Sequence, residues 1–192
     1  MKLFVFIFFL LITLTACDLF ITRDAESPDD QGKSNFQLAT EPKIVIANLI
    51  NSFHDKNVQN YISCFIDSSY SEKGFLFQPS GEVVTQFPFL TQNWGLDDEQ
   101  RYFNSVTSSV QPDFPLSLTF TDESFSIRSD SAIYSATYII NIPVSEPEAS
   151  NYKGNIQFYM QNDDRPVWVI YYWQDIKLPD IPSWSELKGK YY

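Results

Sequence analysis

Apolar side chains recur every three to four residues in the first half of the folded region and every second residue in the rest, and this change of period sets the expected elements. Ile46, Leu49, Ile50 and Phe53 form one helical stripe. It is entered through Thr40, Glu41 and Pro42, a favourable start because proline lacks only a donor that a first turn leaves orphaned. His54-Asp55-Lys56-Asn57 interrupts the stripe, and Val58, Tyr61, Ile62, Phe65 and Ile66 begin a second. Residues 97–110 place Tyr102, Phe103, Val106 and Val110 on one face of a third helix. Before it, Pro79-Ser80-Gly81 predicts the turn of a small hairpin. Beyond Pro115 the pattern alternates through Leu116, Leu118 and Phe120, then Phe125 and Ile127, then runs at 132–142, 152–160 and 167–176. The stretch 161–166, QNDDRP, reads as a turn between the last two runs. Helices followed by a meander of long antiparallel strands predict an α+β domain with helices on one face of a curved sheet.

The start of the chain follows another logic. Met1-Lys2 precedes an uncharged apolar run at 3–14 that would measure about 18 Å as a helix, short of the roughly 20 residues a stable membrane span needs. A charged start, an apolar run and then small residues make a secretory signal peptide. The run ends in Leu14-Thr15-Ala16-Cys17, and in this leader the chain resembles the bacterial lipoproteins. The resemblance implies removal of residues 1–16 and acylation of Cys17, which places the protein on a lipid bilayer in the cell envelope, outside the cytoplasm. Two or three acyl chains, at about 0.8 kcal/mol per buried methylene, hold a domain on a membrane where one is marginal. The alternatives for Cys17 are a metal or a disulfide with Cys64, the one other cysteine. Cys64 lies in the second helical stripe, where a buried inert thiol is the default. Residues 17–40, rich in Ser, Asp, Pro, Gly and Gln without a period, read as a flexible tether, leaving 41–192 as one domain.

Charge narrows the partners further. With 24 acidic against 13 basic side chains, a net of −11, the chain disfavours nucleic acid and anionic lipid head groups. No phosphate-binding loop, nucleophile elbow, zinc or calcium motif occurs, and neither a cofactor nor a metal is expected.

The order of a helix pair, a third helix and long strands ending in Trp168-Val169-Ile170-Tyr171-Tyr172-Trp173-Gln174-Asp175, with the tail Trp184-Ser185-Glu186-Leu187-Lys188, resembles the NTF2-like (SnoaL-like) superfamily over residues 41–176. The resemblance implies a strongly bent sheet wrapped around the helices as a cone with a pocket at its wide end. Enzymes of that superfamily place a histidine, or an acidic residue paired with arginine, inside the cone. The only histidine here, His54, falls at a helix end, where a cationic side chain is favoured on electrostatic grounds alone. No catalytic residue is carried over.

Two groups of residues remain as candidates. Asp175 closes the strongest strand, and buried in the cone its raised pKa would suit an acid or base beside Arg101 or Arg128. The structural alternative is an ion pair with Lys177 or Lys188, or a cap on the C-terminal tail. The pairs Asp29-Asp30, Asp97-Asp98 and Asp163-Asp164 fall in the tether, at a helix start and in a turn, where they are structural. Ala132, Ala136 and Gly154 share faces with Tyr138 and Phe158, so either a helix approaches closely or space is left. In the second case Tyr138, Phe158, Trp168 and Tyr172 would line an aromatic pocket for an apolar ligand.

These residues support three readings. The leading one is a non-catalytic, membrane-anchored domain binding a small apolar ligand or an envelope protein through the cone. A second is an enzyme of the dehydratase, isomerase or hydrolase type using Asp175 with an arginine or tyrosine. A third is a scaffold with a filled cone. Ile133 and Ile139 give the outer sheet face enough apolar character for a homodimer, with Ser135, Thr137 and Asn141 tempering it.

Overall fold

The computed structural model describes residues 35–143 and 151–192; the signal run, Cys17 and most of the tether lie outside the described residues, as does the loop 144–150. Helix α1, Pro42–His54, starts with proline in its first turn after an N-cap at Glu41, one residue later than Thr40, and buries Val45, Ile46, Leu49 and Phe53. It ends at Asp55, and Lys56 turns the chain with φ 50°. Helix α2, Val58–Ile62, is capped by Asn57, whose side chain accepts from the Asn60 N–H. The second stripe outruns this helix: Phe65 leaves it as extended chain and bridges Ile170.

Strand β1, Leu76–Gln78, and helix α3, Gly81–Val84, replace the hairpin expected around Pro79-Ser80-Gly81. β1 pairs in parallel with the last strand, so its partner lies far along the chain rather than across a tight turn. Helix α4, Leu96–Ser109, carries Asp97, Asp98 and Glu99 in its first turn, where negative charge suits the helix dipole. Strands β2, Ser117–Ile127, β3, Ser131–Asn141, β4, Asn151–Asn162, and β5, Trp168–Lys177, form the antiparallel meander, in sheet order β1-β5-β4-β3-β2. The chain closes with helix α5, Trp184–Tyr191.

Two irregularities bend the sheet and re-aim its side chains. One lies in β2 between Thr121 and Ser124, where Asp122 has φ 53°. The other lies in β5, where Tyr159 pairs with Tyr172 and Met160 with Ile170, leaving Tyr171 as the extra residue. Because strand side chains alternate, an extra residue switches faces. Trp168 and Ile170 point inward before the bulge, Trp173 and Asp175 after it, and Tyr172 goes to the outer face beside Tyr159.

The core fills the concave side. Phe53, Tyr61, Phe103, Phe158, Trp173 and Trp184 are all fully buried and meet edge to face or stacked. The room at Gly154 is used by the paired Tyr138 ring: a Cβ there would lie 2.4 Å from the Tyr138 hydroxyl. Residues 35–40 belong to the folded unit too. Gln37 exchanges two hydrogen bonds with the Asn48 side chain, Ala39 is buried, and its carbonyl accepts from Trp168 N–H at 2.8 Å. The fold therefore begins ahead of residue 41, because this segment completes hydrogen bonds that α1 and β5 leave open.

Candidate functional site

Helix α5 sits against the concave sheet and sends Trp184, Leu187 and Lys188 into the cone, all three fully buried. Its first turn is fixed by several donors and acceptors. Asp175 accepts from Ser185 N–H at 2.8 Å and from Ser185 Oγ at 2.5 Å, and its other oxygen accepts from Tyr138 Oη at 2.8 Å. Tyr138 Oη in turn accepts from Trp184 N–H at 2.6 Å, and Trp184 Nε1 donates to Tyr102 Oη at 2.8 Å. Ser183 and Glu186 close a reciprocal capping box, and Lys177 Nζ donates to both Glu186 oxygens at 2.7 and 2.6 Å.

Deeper in the cone, Lys188 donates to both oxygens of Glu99, and neither side chain is exposed. Glu99 also accepts from Tyr61 Oη at 2.5 Å and Trp94 Nε1 at 2.7 Å. Ring faces surround the ammonium: Trp173 at 3.9 Å, Phe77 at 4.3 Å, Tyr102 at 4.8 Å and Trp94 at 5.2 Å. The quadrupole of each ring attracts the cation, by about 2 kcal/mol or more where water is excluded.

Burial sets the electrostatics. It lowers the Lys188 ammonium to about 8, against the pull of Glu99 in the other direction. Burial likewise raises the Asp175 carboxyl above the ordinary range, opposed by the bonds from Ser185 and Tyr138. Tyr61, Tyr102 and Tyr138 are pushed well above 10 by burial and by the neighbouring carboxylates, and burial raises the Cys64 thiol.

An acid or base must reach a substrate proton within about 2.6–3.2 Å or through one water. Here the oxygens of Asp175 and Glu99 are engaged within the protein, and Trp184, Leu187 and Lys188 are buried beside them. Neither arginine considered beside Asp175 is near it: Arg101 is exposed and pairs with Asp98, and Arg128 lies by the opposite end of β5, near Trp168. Asp175 caps the C-terminal segment through the Ser185 N–H and hydroxyl. His54 is exposed and bonds to Asp55. Among the described residues no group of three or more His, Cys, Asp or Glu is placed to hold a metal.

The four aromatic candidates do not come together. Tyr138 and Phe158 are core residues, Tyr172 is on the outer face, and Trp168 lines two shallow surface cavities at the far end of β5. Cys17 lies outside the described residues.

Sequence reading missed Glu99 as a buried group and gave Lys188 only as a partner for Asp175. The signal was present. Glu99 shares a helical face with Tyr102, Phe103 and Val106, and Lys188 follows Trp184 and Leu187 at helical spacing. A charge on each of two apolar faces calls for a partner across the core.

No family model and no curated protein matches the sequence. Solved structures do. A proposed aromatic ring hydroxylase from Novosphingobium aromaticivorans aligns with TM-score 0.53 and 12% identity, covering 71% of this chain and 87% of that one. A proposed dehydratase of the NTF2-like family from Streptomyces avermitilis aligns with TM-score 0.51 and 9% identity, over 71% and 93%. An NTF2-like protein of unknown function from Pseudomonas putida aligns with TM-score 0.51 and 8% identity, over 72% and 84%. The fold is the NTF2-like cone. At these identities the likeness extends to the fold alone, so chemistry has to be read from the cone interior of this chain.

Proposed function

We propose that the chain is a lipid-anchored, non-catalytic interaction domain of the bacterial cell envelope. In this reading Cys17 holds it on the bilayer, and the outer face of the sheet takes a second copy of the chain. The observation that carries the reading is the filled cone: the buried Lys188–Glu99 pair and its ring enclosure occupy the volume that a ligand or substrate would need. With the interior taken, binding moves to the surface. The small-ligand and enzyme readings both require an open cone and lose their support here.

The outer face has the right character. Ile133, Ser135, Thr137, Ile139 and Asn141 on β3, Asn155, Gln157, Tyr159 and Gln161 on β4, and Tyr172, Gln174 and Ile176 on β5 are uncharged, and Lys153 is the one charged side chain among these outward positions. Ile133, Ile139 and Ile176 are exposed. Two such acidic molecules repel over most of their surfaces, and this apolar-and-amide face, with no acidic side chain among these positions, is where that repulsion is weakest.

Photo-crosslinking tests the reading. A benzophenone amino acid replaces Thr137 or Gln157 in the full chain, expressed in a bacterium fed an alkyne-tagged fatty acid. The expected result is a tagged adduct of twice the chain mass from both positions, none from Glu82, and loss of the tag in Cys17→Ala. An adduct containing a different protein would overturn the second copy as partner, and an untagged wild-type chain would overturn the anchor.

A further inference from the structure

Strand β2 is an edge of the sheet, with β3 as its one strand partner. Past the irregularity between Thr121 and Ser124 it pairs regularly with β3 as far as Ile127, yet every residue from 121 to 127 is exposed, Ile127 by 60%. On the concave side Phe125 and Ile127 border an apolar hollow beside the first turn of α1. The hairpin shows which backbone groups this edge offers. Arg128 N–H donates to the Ser131 carbonyl at 2.8 Å, so Arg128 faces β3, and by alternation Ser126 and Ser124 face it too. The N–H and C=O groups of Phe125 and Ile127 therefore point away from the sheet, and no described residue bonds to them there. Such an edge is a template for a further strand unless charge or a bulge blunts it. Here the bulge lies ahead of the regular stretch, Ser124 to Ile127 carry no charge, and the inward-pointing Glu123 is engaged by the Tyr134 hydroxyl at 2.7 Å.

The residues of the edge state which strand fits it. Asp122-Glu123-Ser124-Phe125-Ser126-Ile127-Arg128 is self-complementary about Phe125. Laid antiparallel on a second copy of itself, it sets Phe125 opposite Phe125, Ser124 opposite Ser126, Glu123 opposite Ile127 and Asp122 opposite Arg128. Phe125 then sits in a hydrogen-bonded pair, as its outward N–H and C=O require. Its ring already lies 4.6 Å from that of Tyr134, so the aromatic row continues across the axis. Neither Asp122 nor Arg128 has an ion-pair partner among the described residues. A register centred on Ser126 would instead oppose Asp122 to Asp130, and one centred on Ser124 would run the pairing into the irregularity. We propose that β2 pairs edge to edge with β2 of a second copy, antiparallel about a twofold axis at Phe125, joining two sheets into one. This surface is distinct from the outer face of β3 to β5, and neither pairing depends on the other. Used together, two different twofold contacts build assemblies larger than a pair.

Disulfide trapping tests the register. Opposed Cα atoms in a hydrogen-bonded antiparallel pair stand about 5.5 Å apart, a separation that a disulfide spans. Full chain carrying Phe125→Cys, or Thr119→Cys for comparison, is oxidised with copper phenanthroline in the bacterium that expresses it, and mass spectrometry of linked peptides separates links made through Cys17 or Cys64. Edge pairing predicts a self-link at position 125 and little at 119. In the Phe125→Cys chain, Arg128→Glu should lower the yield several-fold by opposing Asp122 of the second copy, and adding Asp122→Lys should restore it. Asp122 has φ 53°, a conformation that this chain already gives to a lysine, Lys56, at φ 50°. Ile127→Pro should abolish the link, because it removes an N–H that faces the free edge and spares the bonds to β3. Equal yields at 119 and 125, no restoration by the paired swap, or a link from 125 to a different protein would each overturn the proposal, whatever crosslinks Thr137 and Gln157 give on the outer face.

Discussion

Lys188 places a full positive charge in the core, and its surroundings decide what removing it does. Taking away one member of a buried ion pair leaves the other uncompensated, at a cost of about 3–5 kcal/mol, whereas replacing both by apolar or neutral groups of similar volume is often close to neutral. Lys188→Met should therefore lower the unfolding free energy by about 3–5 kcal/mol in urea titrations. Combining it with Glu99→Gln, which keeps an acceptor for Trp94, should restore most of the loss. Equal destabilisation by the single and double variants would show that the pair does not organise the core. Gly154→Ala tests packing in the same spirit. Its Cβ would collide with the Tyr138 hydroxyl, and overpacking of this kind costs about 1–3 kcal/mol.

Titration follows from the same burial. Tyr61, Tyr102 and Tyr138 keep their protons well above the ordinary value of 10.0, and Cys64 keeps its proton above 9.0, while the unfolded chain releases them there. The folded state then binds more protons than the unfolded, and stability falls as pH rises. Lys188 acts oppositely between about 8 and 10.5, but as one group against four. The urea midpoint should drop steeply above pH 10, and Tyr61→Phe should make the drop shallower by up to about 1.4 kcal/mol per pH unit. A midpoint flat to pH 11 would contradict the burial of these hydroxyls.

At the scale of elements, α5 is joined to the sheet by hydrogen bonds as well as by packing. Asp175 is the centre of that junction, so Asp175→Ala should cost about 2–4 kcal/mol by leaving Ser185 and Tyr138 without their acceptor. An enzyme using Asp175 as its base would instead lose turnover with little loss of stability. Where sequence and structure part also becomes clear at this scale. Helix α4 and strands β3 and β4 were legible because their periods are long and unbroken. The β1 partner was not, since a three-residue parallel strand has no local signature and its pairing depends on a strand far along the chain. The face of Tyr172 was misjudged because the extra residue at Tyr171 leaves no mark in an all-aromatic run. The filling of the cone was not legible: small residues on inner faces left open whether a helix approaches or space remains, and in the structure Gly154 answers to Tyr138 while the C-terminal tail supplies α5.

For the molecule as a whole, the NTF2-like cone separates surfaces by chemistry: an outer sheet of mostly apolar and amide side chains, an apolar hollow beside the first turn of α1 whose lining includes Glu41, Lys43 and Arg128, and acidic remainders. The proposed function lies on the surfaces because buried side chains occupy the interior, and it turns on whether α5 is part of the core or a removable plug. Equilibrium urea unfolding of the chain ended after Pro182, beside the full chain, decides this most directly. The account predicts loss of the cooperative transition, or a fall of more than about 5 kcal/mol, comparable to the whole stability of a small domain. A truncated chain that unfolds cooperatively at the full-length midpoint would show an open cone beneath α5 and would return the interior to the search for a ligand.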